Sequence, residues 1–134
     1  MKNKIFVLVF CFLSITSVAQ INFIQKSYII TDSTTIYNVD LVSRGSFLDS
    51  QACAFRSNNE IILYTPYQLQ GYMLKNGKKY VSKDIQDKGE NKKVFLEVLH
   101  EGKLTLYNYK KPGRNSFYLE NDNKQFVELK KKGE

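Results

Sequence analysis

The residues able to carry chemistry are few, and their spacing does not suit it. His100 is the sole histidine of the chain and lies between Leu99 and Glu101, in a stretch that reads as a hairpin loop. A Cys53–His100 pair or a Ser–His–acid triad needs direct hydrogen-bond contact and a buried group to orient the imidazole, and a turn position supplies neither. One histidine and one cysteine cannot fill a tetrahedral zinc site, and the acids are scattered singly, without calcium-loop spacing. Glu97 and Glu101 are the carboxylate pair to weigh for sugar cleavage, but strand alternation and the intervening turn direct them to solvent. No glycine-rich phosphate cradle occurs. The residues therefore predict no enzyme, and no catalytic residue, cofactor or metal.

What remains is aromatic content on a basic chain. Nine tyrosines are present, and in "LYNYKKPGR" Tyr107 and Tyr109 stand beside Lys110, Lys111 and Arg114, with Pro112-Gly113 marking an exposed turn. Aromatic rings next to cations stack on sugar rings or pair with anionic groups. Tyrosine is equally ordinary filler for half-buried strands. Tyr107, Tyr109, Lys110, Lys111 and Arg114 are thus the candidate ligand or partner surface, with the filler reading set against it.

The elements that must position these residues read as strand, turn, strand almost throughout. Turn signals recur every eight to twelve residues, the pattern of a small all-β domain. The first pair is Tyr28 to Thr31 and Thr35 to Val42, turning near Asp32-Ser33, with Tyr37, Val39 and Leu41 on one face and Asn38 and Asp40 on the other. A second pair surrounds Asn58-Asn59. A third surrounds Asn76-Gly77, a strong hairpin signal because both residues tolerate positive φ. A polar loop, "IQDKGENKK", follows. In the fourth pair a three-residue loop, His100-Glu101-Gly102 with Gly102 left-handed, sets Val98 opposite Leu104 and Leu96 opposite Leu106. That register turns Val94, Leu96, Val98, Leu104 and Leu106 inward. The fifth pair turns around Asn121 to Asn123, its register open.

One stretch departs from the pattern. In "YTPYQLQG", Thr65 suits an N-cap, Pro66 a first helical position, and Gln68 completes a capping box. Tyr64 and Leu69 have staple spacing, and Gly71 reads as a stop. This predicts one helical turn near residues 66–70 that steers the chain around a corner; the alternative is a binding edge formed by Tyr67 and Gln70.

The first nineteen residues place Lys2 and Lys4 before an apolar run from Ile5 to Leu13 and end in Ser17-Val18-Ala19, a secretory signal peptide cleaved after Ala19. The run is shorter than the ~20 residues that cross a bilayer. Residues 20–26 read as a linker, 27–130 as one antiparallel β domain (a meander of hairpins forming a sandwich or partly open barrel), and 131–134 as a basic tail. Cleavage leaves Cys53 as the one thiol, expected to be buried. Twenty lysines and arginines, less Lys2 and Lys4, against thirteen acids leave the mature chain at +5. Nucleic acid is a poor partner for an exported protein, and the mature chain carries no transmembrane segment.

Four blocks, "YIITDSTTIYNVDL", "YTPYQLQGYMLKNGKKYVSK", "VFLEVLHEGKLTLYNY" and "SFYLENDNKQFVEL", resemble successive blocks of a group of uncharacterised small exported proteins of Gram-negative bacteria. The resemblance spans nearly the whole mature chain and implies a β fold and an envelope location, periplasmic, outer-membrane associated or extracellular, with no catalytic role attached to any block. The functional expectation is a non-catalytic envelope protein that binds a protein partner or is structural. The alternative is a binder of glycan or anionic envelope polymer through residues 107–114.

Overall fold

The computed structural model describes residues 26–130. The signal peptide, most of the linker and the basic tail lie outside the described residues. Among the described residues there are eleven strands and one short helix: β1 (Tyr28–Ile30), β2 (Thr35–Tyr37), β3 (Leu41–Val42), α1 (Ser46–Gln51), β4 (Cys53–Ser57), β5 (Glu60–Tyr64), β6 (Gly71–Met73), β7 (Lys79–Asp87), β8 (Glu90–His100), β9 (Leu104–Lys111), β10 (Arg114–Asn121) and β11 (Phe126–Leu129). They make an eight-stranded sheet in the order β11-β10-β9-β8-β7-β6-β1-β2 and a three-stranded sheet in the order β3-β4-β5. Every pairing is antiparallel. The all-β reading holds, with two sheets and no closed barrel among the described residues.

Turn chemistry explains most junctions. Asn58 and Asn59 take positive φ (50° and 66°) in the two-residue turn joining β4 to β5, the conformation that keeps strand twist continuous. Between β6 and β7 the loop has three residues: Leu74 N–H donates to the Lys78 carbonyl and Gly77 N–H to the Leu74 carbonyl. Only Gly77 is left-handed there, at φ 91°. Gly71 is not a helix stop. It opens β6 opposite Val81, where an added Cβ would lie 2.6 Å from the Tyr80 carbonyl oxygen, so glycine permits the strands to approach.

Four expectations are corrected. The strand from Thr35 to Val42 is broken: Asn38 turns left-handed at φ 59°, β2 ends, and β3 enters the other sheet. Tyr37, 59% exposed, therefore does not share a face with the half-buried Val39 and Leu41. The polar loop "IQDKGENKK" is instead the end of β7, a two-residue Lys88-Gly89 turn (φ 53° and 79°) and the start of β8, with Asp87 paired to Glu90 and Ile85 buried. The β8–β9 register also differs. Val98 faces Tyr107 and His100 faces Leu106, with a bulge at Leu99, and Gly102 is not among the left-handed glycines. Val94 and Leu96 are buried as expected, but Leu104 is 54% exposed, and Tyr107 and Tyr109 take the inward positions. Finally, the regular helix is α1, which the sequence reading did not place. Its start is held by Asp49, whose carboxylate accepts from Ser43 Oγ (2.6 Å) and Arg44 N–H (2.9 Å).

The "YTPYQLQG" corner forms as a single hydrogen-bonded turn. Leu69 N–H reaches the Thr65 carbonyl (3.2 Å) and the Gln68 side chain accepts from Thr65 N–H (2.9 Å), half of the capping box. Leu69 is buried and shares a core cluster with Tyr72, Tyr80, Phe95 and Cys53, against which Tyr64 packs. Tyr72 and Tyr80 stack at 4.9 Å and Phe95 meets Tyr72 edge-on at 5.0 Å. Burial, with Asp49 adding to it, pushes the Cys53 thiol up to about 12, so it is inert packing.

Candidate functional site

Period-two geometry divides the long strands between two faces of the large sheet. Cross-strand pairs put Val81, Lys83, Ile85 and Asp87 of β7 on one face with Lys92, Val94, Leu96 and Val98 of β8, Tyr107, Tyr109 and Lys111 of β9, and Arg114, Ser116, Tyr118 and Glu120 of β10. This inner face holds the second core cluster, built on Ile85, Val94, Leu96, Tyr107, Tyr109 and Tyr118. It is curled. Lys83 Nζ lies 2.7 Å from Glu120 Oε2 although β8 and β9 intervene, and flat strands would set β7 and β10 about 14 Å apart.

Two half-buried carboxylates brace the curl. At one end Glu120 accepts from Lys83 and from Tyr107 Oη (2.8 Å). Burial works against the carboxylate, but these two hydrogen bonds hold Glu120 below its ordinary range. At the other end Asp87 accepts from Lys111 (2.8 Å) and Lys92 (2.9 Å). Hydrogen bonds from Lys111 and then Lys92 pull its carboxyl down to about 2, against desolvation. Both lysines lie over the Tyr109 ring, at 5.4 and 5.8 Å, and Tyr109 Oη is bonded to Gln51 of α1 (3.1 Å).

The five candidate surface residues are therefore not one patch. Tyr107 and Tyr109 are 5% and 1% exposed, and their rings face the core. Lys111 is committed to Asp87. Arg114 lies exposed at the start of β10 on the inner-face side, while Lys110, paired with Asn115, points to the outer face. The Pro112-Gly113 turn is exposed as expected. Arg114 is gathered with residues outside that set: Lys88 of the unforeseen β7–β8 turn joins it at a rim shared by two hollows, of about 880 and 400 Å³. A Lys-Gly turn is a recognisable signal, but acidic and basic neighbours disguised it as loop.

The outer face differs along its length. Around Tyr72, Tyr80 and Phe95 it is covered by the first core cluster, toward the β7–β8 turn it carries exposed Asp84, Gln86 and Asn91, and on β9–β11 it is open. Leu104 and Leu106, Phe117 and Leu119, and Val127 and Leu129 stand at adjoining cross-strand positions, Leu106 opposite Leu119, Leu119 opposite Val127, and Phe117 opposite Leu129. Leu104, Phe117, Val127 and Leu129 are 54, 37, 55 and 45% exposed. Asn108, Asn115 and Asn121 share this face, and Lys110 is its one charged position. The alternation "LTLYNY" and "SFYLEN" carries this signal, but from sequence either face could have been taken as the core.

Of the residues weighed for chemistry, His100 is exposed at the end of β8 beside the bulge. Glu101 is ion-paired with Lys79, and Glu97 lies opposite Tyr80 and Asn108. Among the described residues no group of three or more His, Cys, Asp or Glu could hold a metal ion. At the corner, Tyr67 is 73% exposed, with Lys93 Nζ 5.8 Å from its ring centre. No helix of the described residues is long and apolar enough to cross a membrane. No protein-family model, no curated protein and no solved structure matches the chain.

Proposed function

We propose that the chain is a non-catalytic, exported envelope module that docks a partner protein on the outer face of β9–β11. The observation that carries this reading is the open aliphatic face from Leu104 to Leu129 on strands whose inner face is already packed. A sheet apolar on both faces is the composition of one buried on both, and a contiguous exposed apolar patch marks an interaction surface. The leader-like first nineteen residues support export.

The occupant follows from charge. The face bears Lys110 and no carboxylate, and the mature chain is basic, so a second copy would set cation against cation. The fitting partner is a different protein with an apolar surface and an acidic residue opposite Lys110. β11 is an edge strand beside this face, which lets the partner extend the sheet as well as cover it.

The test is photo-crosslinking from a benzoylphenylalanine replacing Leu119 in the exported chain. One envelope protein is expected to be captured, and after purification to bind the chain with little salt dependence. Phe117→Lys and Lys110→Glu should each abolish that binding while leaving the fold intact. A crosslink to a second copy or to the chain's own N-terminal segment, or binding indifferent to both substitutions, would refute the reading.

A further inference from the structure

Two hollows meet at Lys88 and Arg114. The smaller is walled by Phe47 of α1 and Pro112, with the Asp87–Lys92–Lys111 cluster behind. The larger is lined by Ser116, Glu128 and Lys130 as well as by the two rim residues, and it reaches Asn115, Phe117 and Leu129 of the outer face. Asp87 serves both Lys92 and Lys111 and already neutralises part of their charge, and Glu128 offsets Lys130 in sign. Lys88 and Arg114 have no ion pair among the described residues. The rim thus presents two uncompensated cations.

Two features adjoin the rim, Ser116 in the larger hollow and Lys88 in the turn that lines both. Ser116 is 4% exposed, and its Oγ has no hydrogen-bond partner, a state buried hydroxyls rarely keep. Lys88 holds φ 53°, a left-handed conformation that favours glycine and asparagine. The equivalent turn position between β4 and β5 is Asn58, at φ 50°. The chain keeps a lysine here, as it does at Lys124 (φ 64°), where its β4–β5 turn uses the better-suited residue.

We propose that this rim binds a dianionic phosphate monoester, its phosphoryl group held between Lys88 and Arg114 and its organic part lying against Phe47 and Pro112. A phosphate monoester carries about −1.5 to −2 at neutral pH and offers three acceptor oxygens. That matches two free cations, one of them an arginine able to bind bidentately, and a carboxylate or sulfonate monoanion would leave one cation unmatched. The binding is non-covalent and uses the smaller hollow, which shares no lining residue with the outer face of β9–β11.

The experiment is titration of the exported chain with phenyl phosphate, followed by amide shifts in NMR spectra. Saturable binding is expected, with shifts centred on Lys88 and Arg114. It should weaken as pH falls through about 6, where the ester becomes a monoanion, and be about tenfold weaker for Arg114→Ala. Lys88→Asn should lose affinity while keeping its fold, because asparagine accepts the same turn. Co-sedimentation with phosphatidylcholine vesicles carrying phosphatidic acid separates the sources: capture reversed by phenyl phosphate assigns a lipid headgroup, and protein left in the supernatant a soluble ester. Equal affinity for benzenesulfonate and phenyl phosphate, or affinity unchanged in both variants, would overturn the proposal.

Discussion

The two halves of the large sheet share one architecture and differ in what covers them. In β6–β8 the apolar positions of both faces are closed: Tyr72, Tyr80 and Phe95 lie under the corner and the small sheet, while Ile85, Val94 and Leu96 lie inside the curl. In β9–β11 the inner face is closed by Tyr107, Tyr109 and Tyr118, but the outer face is aliphatic and bare. The residue types are nearly as apolar in the second half as in the first. Hydrophobicity alone therefore does not tell a core from an interface; what packs on top does.

That contrast can be broken at its strongest point first. Phe95, 0% exposed, should lose about 3–5 kcal/mol on substitution by alanine, whereas Phe117→Ala on the bare face should stay within about 1 kcal/mol in the isolated chain. Urea denaturation of the two variants checks the pair, and equal losses would mean that the outer face of β9–β11 is already covered in solution.

A middle-sized effect belongs to the braces of the inner face. Asp87→Asn leaves the mostly buried Lys111 and the more exposed Lys92 without their shared carboxylate and should cost about 1–2 kcal/mol. Because the folded-state value of Asp87 is depressed to about 2, its contribution is complete above the ordinary aspartate range. It should fade as pH falls from about 4 toward 2. Thermal melts across that interval should fall steeply in the wild type and less so in the Asn variant.

The smallest effect concerns two hairpins of like design. Asn121 N–H donates to the Gln125 carbonyl and Lys124 N–H to the Asn121 carbonyl, the same pattern that encloses Lys75 to Gly77. Yet the left-handed position is Gly77 in one and Lys124, at φ 64°, in the other. Lys124→Gly should raise stability by about 0.5–1 kcal/mol, seen as a small upward shift in Tm. Gly77→Lys should lower it.

Legibility followed locality. Both asparagine turns, the Thr65–Gln68 turn and the burial of Cys53 were readable because a few adjacent residues decide them. The β8–β9 register was not, since the Leu99 bulge shifts every later position and exchanges Leu104 and Leu106 for Tyr107 and Tyr109 at the inner face. The polar stretch around Lys88 misled because Asp87 and Lys92 are paired across strands, Asp87 also with Lys111, while Lys88 and Glu90 stay exposed in and beside the turn. The surface read from "LYNYKKPGR" scattered for the same reason: alternation sends Lys110 to one face and its neighbours Tyr109 and Lys111 to the other.

Sequence alone determined that this chain pairs strands antiparallel around short turns, because alternation and turn residues act over a few positions. Tertiary structure decided which apolar face is core, which lysines are spent on Asp87 and which remain at the rim with Arg114. Those outcomes depend on the curl of the sheet, which brings β7 against β10 and is written in no single segment.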